Sequence, residues 1–302
     1  MSFNLYFAGS QCKEVEEHLI KKQCNRLCSQ IGERNLIKQY SELLPEVKPT
    51  LFVDSGAFSV AHAGKTVNID DYIQYINSNP CVNYWAELDV IPYPVLNQQT
   101  ALECSEKSWE NYLYMLPRVN CPEKILPLYH YGEPKDHLRR ILDTPVYNGK
   151  PAEYIGIGGR HGVSTELQKV YFDSIFDIIA KSSNPKVKVH AFGLTVLKLL
   201  EKFPFYSADS TTWLQIGVNG SILTKYGIFS VSSNTQFRKE SLHQANADVK
   251  QAVMAEIESY GYKLDELSKD YKKRLMFNID YFKNWADNYK YRPEKYKKRS
   301  LI

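Results

Sequence analysis

The stretch Leu51-Phe52-Val53-Asp54-Ser55-Gly56-Ala57-Phe58-Ser59 sets an apolar run directly against a carboxylate, a hydroxyl and a glycine. Such a run reads as a buried strand, and the polar residues behind it as a turn. The same arrangement recurs along the chain. Candidate strands lie at Asn4–Ala8, Thr50–Val53, Tyr84–Leu88, Lys124–Tyr129, Tyr154–Ile157, Lys186–Phe192, Phe205–Ser207 and Gly227–Val231. Helical periodicity fills most of the gaps, at Cys12–Ile31, Ile69–Asn77, Ala101–Leu116, Lys135–Leu142, Thr165–Ser182 and Thr195–Lys202. Strands alternating with helices predict a parallel sheet of the α/β class, and eight strands predict a closed, TIM-like (β/α)8 barrel.

The residues that follow these strands are polar or glycine. Asp54-Ser55-Gly56 follows the second, Asp89 the third, His130 the fourth, Gly158-Gly159 the fifth, Gly193 the sixth and Asp209 the seventh. In a barrel these ends share the face that carries active sites. Asp54 by itself could equally cap the helix after it. The convergence of several strand ends is what points to chemistry.

The bulk numbers limit the alternatives. The 302 residues are 43% hydrophobic and 24% charged, ordinary values for a globular chain. No apolar stretch reaches the roughly 18 residues of a membrane span, and Met1 to Gly9 lacks a basic region before its apolar run. The expected location is the cytoplasm of the cell that makes the protein. Six cysteines (Cys12, Cys24, Cys28, Cys81, Cys104 and Cys121) are scattered through the first half, unlike a disulfide framework. Cys12, His18, Cys24 and Cys28 could be drawn as a zinc set. Cys24 and Cys28 read as one turn apart on a helix, without a paired knuckle, so neither a metal nor a cofactor is expected.

Residues 1–235 read as the barrel and residues 236–302 as a helical extension packed on it, with helical spacing over Leu242–Tyr260 and Asp265–Tyr289. Lys263 to Ile302 carries 12 Lys/Arg against 6 Asp/Glu, together with Tyr271, Phe277, Tyr281, Phe282, Trp285, Tyr289, Tyr291 and Tyr296. A basic, aromatic-rich segment suits a nucleic-acid backbone with accessible bases. The other reading is an amphipathic helix whose aromatics pack on the body. Candidate phosphate contacts are Lys295, Lys297, Lys298 and Arg299, with Arg160 and His161 after the fifth strand.

The second carboxylate motif is Phe205-Tyr206-Ser207-Ala208-Asp209-Ser210-Thr211-Thr212-Trp213. Two carboxylates at one barrel mouth can divide labour at a glycosidic bond, one attacking the anomeric carbon and the other moving a proton on the leaving base. In Tyr154-Ile155-Gly156-Ile157-Gly158-Gly159-Arg160 the glycines expose backbone N–H groups, but their spacing is not that of a dinucleotide fingerprint.

Taken in order, Asp54-Ser55-Gly56-Ala57-Phe58-Ser59, Glu87-Leu88-Asp89, Gly156-Ile157-Gly158-Gly159, His190-Ala191-Phe192-Gly193-Leu194-Thr195 and Ser207-Ala208-Asp209-Ser210 resemble the motifs of the tRNA-guanine transglycosylase superfamily. The resemblance spans about residues 50 to 213. It implies Asp209 as nucleophile, Asp54 as general acid/base and Asp89 as the reader of a guanine-type base. Ser55 and the backbone of Gly158 and Gly159 would be further base contacts, and Phe58 or Tyr129 could stack on the base. His130 stands where the family has a base-binding glutamine. Ala57 and Ser59 depart from the Gly and Gln of the first motif. No cysteine follows Cys121, so the family's zinc subdomain is expected to be missing. A short, zinc-free version is similar to the phage-type DNA branch, which exchanges guanine in DNA for a 7-deazaguanine. The implied partners are DNA, single-stranded or with a flipped guanine, and a free base such as 7-cyano-7-deazaguanine. Three alternatives stay open: the same exchange on tRNA, a glycoside hydrolase or phosphosugar enzyme, and a non-catalytic nucleic-acid-binding barrel.

Overall fold

The computed structural model of the chain describes residues 3–9, 12–43, 48–57, 59, 63, 66–91, 95–159, 162–194, 196–235 and 241–292. The strands are β1 (Asn4–Ala8), β2 (Asn25–Ser29), β3 (Leu51–Asp54), β4 (Tyr84–Ala86), β5 (Ile125–Leu126), β6 (Leu128–Tyr129), β7 (Tyr154–Gly158), β8 (Lys188–Phe192), β9 (Ser207–Ser210), β10 (Ser221–Thr224) and β11 (Gly227–Ser230). The helices are α1 (Lys13–Lys21), α2 (Arg34–Ser41), α3 (Ile69–Ser78), α4 (Gln98–Met115), α5 (Lys135–Asp143), α6 (Thr165–Lys181), α7 (Leu197–Lys202), α8 (Thr212–Val218), α9 (Ala247–Ser259), α10 (Leu264–Lys269) and α11 (Tyr271–Asn288). The sheet order is that of a nearly closed, TIM-like parallel barrel, and the class is α/β with C-terminal helices. No described helix is long and apolar enough to cross a membrane.

The chain divides into two compact units. One takes the described residues of 25–209 with Tyr291 and Arg292, and the other those of 1–24 and 210–290. The expected boundary at 235/236 falls inside the second.

The first unit holds the strands that carry the site. β2, β3, β4 and β5 pair in parallel in that order, and so do β6, β7, β8 and β9. β5 and β6 form one path interrupted at Pro127, which has no N–H to give a ladder. Helices α2 to α7 connect these strands, and several start on side-chain caps that satisfy the orphan N–H groups of the first turn. Asn68 accepts from Asp70 and Asp71 at 2.9 and 3.1 Å, and Asn97 and Thr100 form a reciprocal capping box.

The structure departs from two expectations. The helix expected over Cys12–Ile31 stops at Lys21. Gln23 takes a left-handed φ of 51°, and the N–H groups of Gln23 and Cys24 fold back onto the carbonyls of Ile20 and Leu19. The chain then enters β2, so Cys28 lies on a strand and not a helical turn beyond Cys24. The strand expected at Gly227–Val231 is no barrel strand. It is β11, paired antiparallel with β10 through the two-residue turn Lys225-Tyr226.

The second unit packs α8, the β10–β11 hairpin and the C-terminal helices around Ile222, Val231, Leu242, Val253, Ile257, Leu267 and Phe277. The expected helix Asp265–Tyr289 breaks at Asp270, whose carboxylate caps Lys272 N–H at 2.8 Å and starts α11. Asn278 on α11 accepts from Leu223 N–H at 2.9 Å and donates to the Trp213 carbonyl at 3.2 Å. The aromatics of α11 serve this packing. Phe277 and Phe282 are buried, and Trp285 stacks on Tyr289 with centroids 5.1 Å apart. Of the aromatics read as a nucleic-acid surface, these are taken up by the protein itself.

Candidate active site

Side chains two residues apart on a strand share a face. That repeat places Phe52 with Asp54 on β3, Tyr154 with Gly156 and Gly158 on β7, His190 with Phe192 on β8, and Ser207 with Asp209 on β9. The rings among them form one aromatic layer. Phe52 lies 4.7 Å from His190 and 5.4 Å from Phe192 between centroids, and Tyr84 lies 5.0 Å from Tyr154. Gly156 makes room for it, because a Cβ there would lie 2.3 Å from Leu128 Cδ2 and 2.4 Å from Phe192 Cε2. The carboxylates follow at the strand ends.

Asp209 is buried, and its Oδ1 accepts from the Gly193 N–H at 3.0 Å and faces His190 Nε2 at 3.1 Å. On the other side of the ring, Nδ1 lies 2.5 Å from Ser207 Oγ, which in turn lies 2.5 Å from the Tyr154 hydroxyl. Burial pushes the His190 imidazole below its ordinary pKa, against the opposing pull of Asp209, so the ring is neutral near pH 7.

Asp54 ends β3, and its Oδ2 accepts from the Gly56 N–H at 3.2 Å across a turn where Gly56 has a φ of +78°. Burial, followed by the negative charges of Asp89 and Asp209, pushes the Asp54 carboxyl up to about 7, against the N–H groups of Gly56 and Ser55. A carboxyl at that value can both give and take a proton at neutral pH.

Asp89 is fixed through both oxygens. Ser55 Oγ donates to Oδ1 at 2.7 Å, and His130 Nε2 lies 3.1 Å from Oδ2. His130 Nδ1 lies 3.2 Å from Glu133 Oε1, and the His130 backbone N–H donates to Glu133 Oε2 at 2.8 Å. Burial works against a charged His130, but the carboxylates of Glu133 and Asp89 outweigh it and hold the ring well above its ordinary value. Asp89 also lines a cavity of about 510 Å³ with Ala57, Val67, Ile69, Leu88, Val90 and Asn111, a volume within the range of small-molecule sites.

Asp54 thus ends β3, Asp89 lies just beyond β4 and Asp209 lies on β9, with β1 and β2 between β3 and β9 in the sheet. Ser55 and His130 contact Asp89, and Gly158 lies against His130. Some details differ from expectation. Both ring nitrogens of His130 face protein carboxylates. The Ser55 hydroxyl is engaged twice, since it also accepts from the Ala57 N–H at 3.1 Å. The Gly158 carbonyl accepts from Tyr171 at 3.2 Å, while a Cβ at Gly159 would meet nothing within 4 Å. Tyr129, considered for stacking on a base, is buried; its ring stacks on His137 and its hydroxyl donates to the Glu133 carbonyl at 2.8 Å. Phe58, Arg160, His161, Lys295, Lys297, Lys298 and Arg299 lie outside the described residues.

No role was expected of Glu133, Tyr154, His190 or Ser207. The two-residue repeats His190/Phe192 and Ser207/Asp209 were the available signal, and so was the carboxylate three residues after His130. Glu87, buried beside Asp89, accepts from the Leu128 N–H at 2.7 Å, and burial raises its pKa well above the usual carboxylate range. It ties the end of β4 to β6. Among the described residues no group of three or more His, Cys, Asp or Glu is arranged to hold a metal ion. No protein-family model matches the chain, and no curated protein matches it.

Proposed function

We propose that this chain is a base-exchanging guanine transglycosylase that replaces guanine in DNA with a free 7-deazaguanine, 7-cyano-7-deazaguanine being the first candidate. One observation carries the reading: Asp54 is pushed up to about 7 by burial and by the charges of Asp89 and Asp209, carboxylates delivered by two other strands. Three carboxylates within electrostatic reach, one of them poised at neutrality, suit a reaction that needs a nucleophile, a proton carrier and a reader of N–H donors.

In this proposal Asp209 attacks C1′ of the deoxyribose and the C1′–N9 bond breaks. The electron pair goes to the departing guanine, and neutral Asp54 supplies the proton. The polymer stays intact as a sugar–aspartate ester. The incoming base loses a proton to Asp54 and its N9 displaces Asp209. Asp89, held by Ser55 and His130, accepts from the donor edge of either base. A base without those donors leaves a desolvated carboxylate partly unpaired, which discriminates against it. The cytoplasm is the proposed setting, in keeping with six cysteines that are all free thiols.

The test is mass spectrometry of nucleosides after DNA or tRNA is incubated with the protein and 7-cyano-7-deazaguanine. Modified deoxyguanosine supports the proposal. Modification of tRNA alone transfers the chemistry to the other polymer. Release of guanine without exchange makes the protein a hydrolase, and binding without either outcome makes it a non-catalytic barrel. Asp209→Asn should lower exchange by at least roughly ten-thousandfold and abolish the covalent adduct.

A further inference from the structure

Resting on the base-exchange reading, we propose that His190, held by Ser207 and Tyr154, is the positioning residue of the nucleophile: it fixes Oδ1 of Asp209 and leaves Oδ2 to attack. Two donors converge on Oδ1, the Gly193 N–H at 3.0 Å and His190 Nε2 at 3.1 Å. Among the described residues no hydrogen bond reaches Oδ2. The oxygens are thus distinguished before any substrate arrives.

The direction of the chain follows from proton counting. An ionised carboxylate only accepts, so His190 Nε2 must carry the proton. In a neutral ring Nδ1 then accepts, and the Ser207 hydroxyl is its donor. That hydroxyl has one proton, so the Tyr154 hydroxyl donates to Ser207. Tyr154, Ser207 and His190 each use their single proton toward Asp209, and the tautomer of His190 is fixed from behind. His190 and Ser207 are 0% exposed and Tyr154 6%, which leaves water little room to compete. The centroids of Phe52 and Phe192 lie 4.7 and 4.4 Å from that of the imidazole and hold its plane.

The arrangement acts in both half-reactions. In the first, Oδ2 bonds to C1′ as the C1′–N9 bond breaks, and the carboxylate loses its charge to the departing base, which Asp54 protonates. In the second, the C1′–Oδ2 bond breaks, the electron pair returns to Asp209, and the donors of His190 and Gly193 receive the charge that reappears. Preorganised donors aimed at such an oxygen cost no rearrangement during reaction.

The experiment measures kcat and KM for incorporation of labelled guanine into DNA and tRNA by the full chain and its variants. His190→Phe should lower kcat about a hundredfold and leave KM for the free base unchanged. His190→Gln restores an N–H donor near the Nε2 position and should recover much of that loss. Tyr154→Phe removes one oxygen without changing volume and should lower kcat about tenfold. Full kcat in both His190→Phe and Tyr154→Phe, a loss confined to KM, or equal losses in the Gln and Phe variants overturns the proposal. If His190→Phe does not fold, Tyr154→Phe and His190→Gln decide. A wild-type chain that labels neither polymer overturns the base-exchange reading and this proposal with it; a wild-type chain that exchanges while the variants match it overturns this proposal alone.

Discussion

His130 holds Asp89 from the side opposite Ser55: its Nε2 lies 3.1 Å from Oδ2, while Ser55 Oγ donates to Oδ1 at 2.7 Å. His190 stands in the same relation to Asp209, also at 3.1 Å. The two histidines differ in charge. Glu133 and Asp89 keep His130 protonated, whereas burial keeps His190 neutral. Under the proposed exchange, a charged donor suits an Asp89 that stays ionised to read a base, and a neutral donor suits an Asp209 that gives up its charge to attack.

The first prediction concerns that charged donor. His130→Gln keeps an N–H toward Asp89 but removes the cation between Asp89 and Glu133. Binding of free 7-cyano-7-deazaguanine should weaken by tenfold or more, corresponding to about 1.5–3 kcal/mol for a charged hydrogen bond. His130→Leu should weaken it further and also destabilise the fold, because two carboxylates then face each other without a cation. Equilibrium titration of the free base checks both. Unchanged affinity in His130→Leu would show that Asp89 needs no help from this side.

The second prediction is the pH response of Asp54. Its folded pKa of about 7 lies above the ordinary aspartate value of 3.8, so its stabilising contribution is complete below 3.8 and lost as pH rises through about 7. Asp54→Asn should therefore melt several °C above wild type near pH 8.5, with the gap narrowing as pH falls through about 7 and closing near 3.8, where the side chain is protonated folded and unfolded alike. Adduct formation, which needs the acid form, should fall as pH rises through about 7, and capture of the incoming base, which needs the carboxylate, should rise. Asp54→Asn should lower both by about a hundredfold to ten-thousandfold. Thermal melts at the two pH values and single-turnover rates test this, and a pH-independent difference in melting would place the titration elsewhere.

The sequence made the carboxylates readable because each ends an apolar run, as in Leu51-Phe52-Val53-Asp54. It concealed Asn25–Ser29, where Arg26 and Cys28 continue the periodicity of α1. Only the structure reveals that Arg26 is fully buried, its guanidinium 5.6 Å from the centre of the Tyr40 ring. Gly227–Val231 has the composition of a barrel strand, and its antiparallel partner Ser221–Thr224 lies just before it in sequence. Composition cannot tell a hairpin arm from a parallel strand there. The contact of His190 with Asp209 was hidden for another reason. Its partner Asp209 lies 19 residues on, a relation created by the parallel pairing of β8 with β9.

A third prediction is independent of catalysis. In the unit that contains α1 and α11, Asp280 Oδ1 lies 2.8 Å from His18 Nε2 and 3.1 Å from Lys22 Nζ, and Tyr262 donates to Oδ2 at 2.9 Å. Burial opposes ionisation of Asp280, but these partners outweigh it and lower its pKa. Its stabilising contribution is therefore present above the ordinary carboxylate pKa and lost as pH falls through the depressed value. Asp280→Ala should cost about 2 kcal/mol at neutral pH, less than a fully buried pair because Lys22 reaches solvent. Chemical denaturation at pH 7 measures this, and a loss below about 0.5 kcal/mol would mean that the cluster does not tie α1 to α11.

The last prediction separates two adjacent glycines. A Cβ at Gly158 would lie 2.9 Å from His130 Cδ2, and the ring has little freedom to withdraw because Asp89 and Glu133 hold both its nitrogens. Gly158→Ala should therefore cost about 1–3 kcal/mol through overpacking and weaken base binding by displacing His130. A Cβ at Gly159 meets nothing within 4 Å, so Gly159→Ala should leave the melting temperature unchanged. If the Gly159 backbone approaches the base closely, the same methyl obstructs it, and KM for the free base should rise about tenfold with kcat little altered. Melting curves and steady-state kinetics on the two variants distinguish the effects. An unchanged KM in Gly159→Ala would remove that residue from the base site and leave Gly158 to act only through His130.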